Sequence, residues 1–177
     1  MSNVTVSISH TTRPKRPNEI NHQHYHFVDD TEFKHMITHQ AFLEYAEVFT
    51  HYYGTAKDNV LQQLQMGQDV ILEIDWQGAR QIREQLPDSV SIFILPPSLE
   101  ILRQRLCERA QDNAEVIAQR MAQAHSEMSH YREYDYLIIN DEFATAVQDF
   151  SAIIHSQRLA YRRQIYRQQS LLNQLLK

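Results

Sequence analysis

The stretch "DVILEIDWQGARQIREQL", residues 69–86, decides the architecture. Its first part is a nearly continuous apolar run, the pattern of a strand buried on both faces, and such strands belong to parallel sheets. Its second part has helical spacing and ends at Pro87, which cannot continue a helix. Working outward, "SVSIFILPP" (89–97) reads as another buried strand stopped by two prolines, and "YDYLIIND" (134–141) as a third. "NVTVSIS" (3–9) alternates like a half-buried strand, and the alternation of "HQHYHFV" (22–28) predicts another. "DDTEFKHMI" (29–37) predicts a short helix capped by Asp30 or Thr31, and "AFLEYAEVFTHYYGT" (41–55) predicts strands with a turn at Gly54. "KDNVLQQLQMG" (57–67) is a helix closed by Gly67. Residues 98–128 are helical, with Ser98 as cap and a polar hinge at "AQDN" (110–113), and the pattern is helical again from Phe143 to the end. Strands alternating with helices indicate an α/β fold with a parallel sheet, in one domain over residues 1–177.

Composition narrows the function. The 177 residues are 42% hydrophobic and 22% charged with a net charge of -5, so a general nucleic-acid coat is not suggested and any anion site must be local. Cys107 is the one cysteine, which allows no internal disulfide and fits a reducing cytosol. No long apolar run suggests a membrane span, and "MSNVTVSISH" lacks the pattern of a signal peptide. Glycine is scarce: there are three, Gly54, Gly67 and Gly78, where average usage gives roughly a dozen. Backbone cradles for phosphate need clustered glycines, and these three are scattered.

The candidate sites each carry a plain reading beside a chemical one. "SHTTRPKRP" (9–17) concentrates Arg13, Lys15 and Arg16 with hydroxyls and prolines. It could be a solvated basic loop, but stiffening prolines and a position directly after a strand favour a phosphate site. Glu73 and Asp75 fall at the end of the buried strand, on one face by the period of two. A magnesium-linked or base-binding carboxylate fits them, as does a capped turn. Arg105 and Arg109 share a helix face, with Arg120 one segment later, and either ion pairing or anion binding explains them. His22, His24 and His26 would share one strand face, inviting a metal, but no cysteine or carboxylate nearby completes a ligand set, and a solvent-facing edge is the plainer reading. The segment "RLAYRRQIYRQQ" (158–169) reads as a basic helix.

Together these segments resemble the guanylate kinase family. "SISHTTRPKRPNEINHQHYHF" (7–27) follows the family's S-x-T-T-R-x-x-R-x-x-E…Y-x-F signature. "FLEYAEVFTHYYGT", "VILEIDWQGARQIR", "SIFILPPS", "EVIAQR" and "EMSHYREYDYLIIND" follow in the family's order, and the likeness spans about residues 4 to 160. The resemblance implies a P-loop kinase core, a GMP-binding subdomain over about 10–67 and a helical lid over about 98–125. It implies ATP-dependent phosphorylation of GMP to GDP, with Mg2+ accompanying ATP. Arg13, Arg16, Tyr25 and Tyr53 would hold the GMP phosphate. Glu44 and Asp75 would take the guanine N1 and N2 protons, with Ser9 and Thr55 helping to read the base. Glu73 would lie near the phosphate and magnesium, and no residue would be a direct protein ligand of a metal. Arg105, Arg109 and Arg120 would neutralise the transferring phosphoryl group, and Asn140 would touch the ATP adenine.

The departures from the family pattern set further expectations. The family's first strand and its G-x-x-G-x-G-K-[ST] loop find no match in these residues: the four lysines are Lys15, Lys34, Lys57 and Lys177, and none follows a glycine. Ala110 stands where the family has a glycine after the lid arginine. The expectation is a guanylate kinase chain shortened at its front, which binds GMP better than it catalyses. Its lost strand would have lain between those matching 69–75 and 90–95, leaving edges to rearrange or to pair with another copy as a homo-oligomer. The alternative is a catalytically silent GMP-binding or protein-interaction module.

Overall fold

The computed structural model describes residues 1–108 and 114–177. The chain divides into two compact units, Met1–Ser91 and Ile92–Lys177. In the first, β1 (Val4–Val6) runs parallel to β6 (Asp69–Ile71), with Val4 opposite Asp69 and Val6 opposite Ile71. A second sheet has the order β3-β2-β5-β4, built from β2 (His10–Thr11), β3 (His26–Phe27), β4 (Phe42–Val48) and β5 (His51–Ala56). In it β2 and β3 are parallel, while β2–β5 and β4–β5 are antiparallel. Three helices belong to this unit: α1 (Asp30–Thr38), α2 (Lys57–Gln65) and α3 (Trp76–Gln85).

The second unit holds a parallel pair, β7 (Ile92–Leu95) and β8 (Tyr136–Ile139), in a register from Ile92 opposite Tyr136 to Leu95 opposite Ile139. Around them in sequence come α4 (Leu99–Glu108), α5 (Ala114–Ser129), α6 (Phe143–Leu159), α7 (Tyr161–Arg167) and α8 (Gln169–Leu175). Among the described residues β6 pairs only with β1, and β7 only with β8.

The core of the first unit forms where α2 and α3 meet strand residues. Leu43, Val60 and Ile82 are buried together, with Val70, Leu72, Ile74 and Leu86 packed against them. Each of the three buried side chains contributes about 1.5–3 kcal/mol by leaving water, and the partly buried ones less. A second cluster is aromatic: Phe33 stacks on Phe42 at 4.6 Å and on Tyr52 at 5.4 Å.

Several sequence expectations are corrected here. The buried strand expected from Asp69 to the end of the apolar run stops at Ile71, because its partner leaves: Ser7 N–H makes the last ladder bond to the Ile71 carbonyl at 2.9 Å. The cap of α1 is Asp29, not Asp30 or Thr31; its extended backbone lets Oδ1 accept from Glu32 N–H at 2.8 Å. The turn expected at Gly54 lies instead at Phe49–Thr50, both at positive φ (50° and 68°). Gly54 is inside β5, where an added Cβ would stand 3.0 Å from Phe42 and 3.1 Å from Phe33, so the aromatic stack needs the missing side chain. The strand expected over 22–28 shrinks to His26–Phe27, since His22 turns at φ 64°. The closing of α2 near Gly67 and the Ser98 cap are as expected, with Ser98 Oγ accepting from Ile101 N–H at 3.1 Å. The expected hinge at 110–113 lies outside the described residues.

Candidate active site

An irregularity in β4 creates the site. The ladder to β5 shifts between Phe42 and Glu44, so Phe42, Leu43 and Glu44 are all buried where a plain strand would alternate. Phe42 goes to the aromatic stack and Leu43 to the core. Glu44 lines a cavity with Ser9, Tyr25, Tyr53, Glu73 and Asp75, together with the apolar Ala46, Val48 and Ile74.

Glu44 is only 3% exposed, and its ladder partner Thr55 is fully buried. The Thr55 hydroxyl donates to Glu44 Oε1. Burial pushes the Glu44 carboxyl up from 4.5 to about 7; the Thr55 hydrogen bonds oppose that rise and the Asp75 charge adds to it. Asp75 is held from the other side. As N-cap of α3 it accepts from Gly78 N–H at 2.9 Å through Oδ1 and from Gln77 Nε2 at 2.9 Å through Oδ2. It is therefore both a capping residue and a wall of the cavity.

The guanidinium of Arg13 is held in a fork by Glu19, with contacts of 2.6 and 3.0 Å. It also lies 5.5 Å from the centre of the Tyr25 ring and 5.8 Å from that of Phe27. Burial works against its charge, but hydrogen bonding and attraction from Glu19, with a share from Tyr53, raise its pKa. Glu19 in turn is held below its usual range, first by the hydrogen bond from Arg13. Arg16 joins the same carboxylate through its backbone N–H at 2.8 Å. Tyr25 meets Tyr53 edge-on at 6.1 Å, and burial raises the Tyr25 pKa.

In the second unit, Arg105 donates to the carbonyl oxygens of Asn140 at 2.8 Å and Asp141 at 3.1 Å. Asn140 Oδ1 is buried with no hydrogen-bond partner among the described residues. Arg120 lies half-buried on α5. Arg109 and Ala110 lie outside the described residues.

Thus Ser9, Tyr25, Glu44, Tyr53, Glu73 and Asp75 gather around one cavity. Arg13 reaches it through Tyr25 and Tyr53, and Thr55 stands behind Glu44. The histidines do not share a strand face as the alternation suggested. His22 Nδ1 lies 2.8 Å from His26 Nδ1, His26 stacks on His10 at 4.4 Å, and His24 turns aside to accept from Ile20 N–H at 3.0 Å. No trio of His, Cys, Asp or Glu among the described residues is arranged to hold a metal ion. Sequence reasoning missed Ala46 and Val48, although they follow Glu44 at the strand period of two. It also missed Glu19 as the counterion of Arg13; the three-residue spacing from Arg16 was the available signal.

The guanylate kinase family model matches residues 1–157. The chain belongs to the guanylate kinase family. It is 55% identical to a guanylate kinase of Shewanella sp. (strain MR-7) over 175 residues, covering 99% of this chain and 84% of the relative. It is 57% identical to a guanylate kinase of Methylococcus capsulatus over 173 residues, covering 98% and 85%. The crystal structure of guanylate kinase from Anaplasma phagocytophilum matches with a TM-score of 0.80 and 34% identity over 91% of this chain and 79% of that one. The fold is accordingly that of the guanylate kinases, an α/β kinase fold, and membership marks the chain as a nucleotide-binding transferase. The described helices include none long and apolar enough to cross a membrane.

Proposed function

We propose that the cavity binds GMP and that the chain is of the type that transfers the ATP γ-phosphoryl group to it, giving GDP and ADP. The observation that carries this reading is that Glu44 and Asp75 line one cavity together with Tyr25 and Tyr53. Carboxylates facing the parallel N1–H and N2–H donors of guanine select it and repel the acceptor edge of adenine. Ser9 adds a hydroxyl at the cavity wall, and Thr55 acts through Glu44.

Arg13 and Arg16 supply forked donors for the GMP phosphate, with Tyr25 and Tyr53 as hydroxyl donors. Arg105, Arg109 and Arg120 neutralise charge on the transferring group, and Asn140 takes the adenine of ATP. Glu73 is the carboxylate of this set that would lie near the phosphates and their Mg2+ without ligating the ion directly. When bound, the ion would supply neutralising charge to those phosphates. The reaction belongs in the cytosol, where Cys107 stays a thiol.

The 177 residues contain no G-x-x-G-x-G-K-[ST] loop, so this polypeptide binds GMP better than it turns it over. Calorimetric titration with GMP, with AMP as control, run beside a coupled assay for ADP release, tests both statements. GMP-selective binding with little ADP release is expected. Equal binding of AMP would overturn the site, and brisk ADP release would overturn the claim of weak turnover.

A further inference from the structure

In the sheet order β3-β2-β5-β4, β4 is an edge strand, and an unprotected edge exposes backbone donors and acceptors. Helix α3 covers this edge with side-chain amides. Gln81 accepts from Tyr45 N–H at 3.1 Å through Oε1 and donates to the Tyr45 carbonyl at 2.8 Å through Nε2, much as a neighbouring strand would. One turn on, Gln85 Nε2 donates to the Leu43 carbonyl. These bonds grip the residues on either side of Glu44. One turn back on the same stripe of α3 is Gly78.

At Gly78 the helix touches the Glu44 carboxylate itself. A Cβ built there would collide with Glu44 Oε2 and stand 3.1 Å from Glu44 Cδ and 3.3 Å from Ile74 Cβ. The same residue's N–H fixes Asp75. Glycine is normally a poor choice inside a helix, and alanine a good one. Here the absent side chain is what lets helix and carboxylate approach.

We propose that Gly78 and Gln81 are positioning residues that together set Glu44 and Asp75 at the spacing guanine requires. The proposal rests on the GMP reading above and deepens it: base selectivity is built by α3, from residues that line no part of the cavity. Gly78 acts by steric vacancy and by its N–H to Asp75. Gln81 acts by holding the backbone of Tyr45, next to Glu44, in register.

The test compares GMP binding by calorimetry at pH 6 and pH 8 in the unsubstituted chain, Gly78→Ala, Gln81→Ala and Glu84→Ala. Glu44→Gln serves as the baseline for proton effects that belong to the nucleotide. Gly78→Ala is expected to weaken GMP binding at pH 8 by at least tenfold and to flatten the difference between the two pH values, because its methyl drives the carboxylate from its buried seat. Gln81→Ala is expected to weaken binding about threefold, while Glu84→Ala, an exposed position on the same helix, leaves it unchanged. A merely structural role would lower the melting temperature and leave the pH profile of the folded protein intact. GMP affinity within twofold of the unsubstituted chain in both Gly78→Ala and Gln81→Ala overturns the proposal. If Gly78→Ala fails to fold, Gln81→Ala alone decides, on its affinity and its pH profile. No GMP binding by the unsubstituted chain would instead overturn the proposed function, a separate and recognisable outcome.

Discussion

Arg13 and Arg105 are both guanidinium groups held in fixed positions, but by opposite chemistry. Arg13 is gripped by the carboxylate of Glu19 and flanked by Tyr25 and Phe27, so its charge is already compensated. Arg105 rests on two neutral carbonyl oxygens, which orient it and leave its net charge in place. The difference extends to their surroundings. Near Arg13, through Tyr25, lies a cavity in which Glu44 is buried and accepts from the fully buried Thr55, while Asp75 accepts from Gly78 and Gln77. The first guanidinium is thus held by an opposing charge and the second by neutral dipoles, which under the proposed function would suit the first to recognition and the second to presenting charge. An anion reaching Arg13 must share it with Glu19, whereas one meeting Arg105 would share it with two neutral carbonyl oxygens.

The largest effect that would sharpen this contrast comes from Glu44→Gln. It replaces an acceptor-only carboxylate with an amide and should weaken GMP binding about 100-fold, close to 3 kcal/mol, the scale of a lost charged hydrogen bond at a buried site. A loss under fivefold in calorimetry would mean the base is read elsewhere. Next, Arg13→Ala should weaken GMP about 30-fold, since a charge-assisted contact contributes about 2 kcal/mol. Arg105→Ala should leave GMP affinity within twofold and lower only whatever ADP release the chain shows. If both alanine variants lost GMP equally, the division between recognition and charge presentation would be broken.

The pH dependence follows in size. With Glu44 titrating near pH 7, GMP affinity should rise about tenfold between pH 6 and pH 8 as the carboxylate ionises. The unliganded protein moves the other way. Because the folded pKa of Glu44 lies above the unfolded 4.5, the unfolded chain binds fewer protons in that window, and stability falls as pH rises from 4.5 towards 7. Melting curves with and without GMP across this range should therefore diverge; parallel curves would place the Glu44 titration elsewhere. His10 has the reverse sign. Burial first, then the charges of His26 and His22, lower it from 6.5 to about 4, so its contribution is complete above pH 6.5 and lost as pH falls towards 4. For a half-exposed ring that loss is on the order of 1 kcal/mol after solvent screening, and His10→Phe should remove it from the acid limb of the melting curve. The smallest effect is Ser98→Ala, which removes the cap of α4 and should cost about 1 kcal/mol in thermal unfolding, with GMP binding unchanged.

Much of the arrangement was legible in the sequence where a residue announces its own conformation. Apolar runs, prolines and caps placed most helices and buried strands. The resemblance named Glu44, Tyr53 and Asp75, and these do meet in one cavity. What stayed hidden depends on partners distant in the chain. The strand at 69–71 is short because β1 leaves it, and Gly54 sits mid-strand because two phenylalanines need its space. Neither fact has a local signal. The bulge at Phe42–Glu44 hides in the same way, since nothing local shows that Phe42, Leu43 and Glu44 are all buried until the partner strand is known.

The tight Phe49–Thr50 connection has a consequence for how the protein folds. It joins β4 to β5 directly, so Glu44 and Thr55 are only eleven residues apart along the chain. Hairpins of this kind close within about 1–10 μs. The carboxylate and its hydroxyl donor can thus meet in an early local event, whereas the Gln81–Tyr45 clasp must wait for a loop of 36 residues to close. Substitutions at Thr55 should therefore slow folding, while those at Gln81 should chiefly speed unfolding. The Glu44–Thr55 pair is expected to assemble first, and α3, which carries Asp75 as its cap, to arrive afterwards.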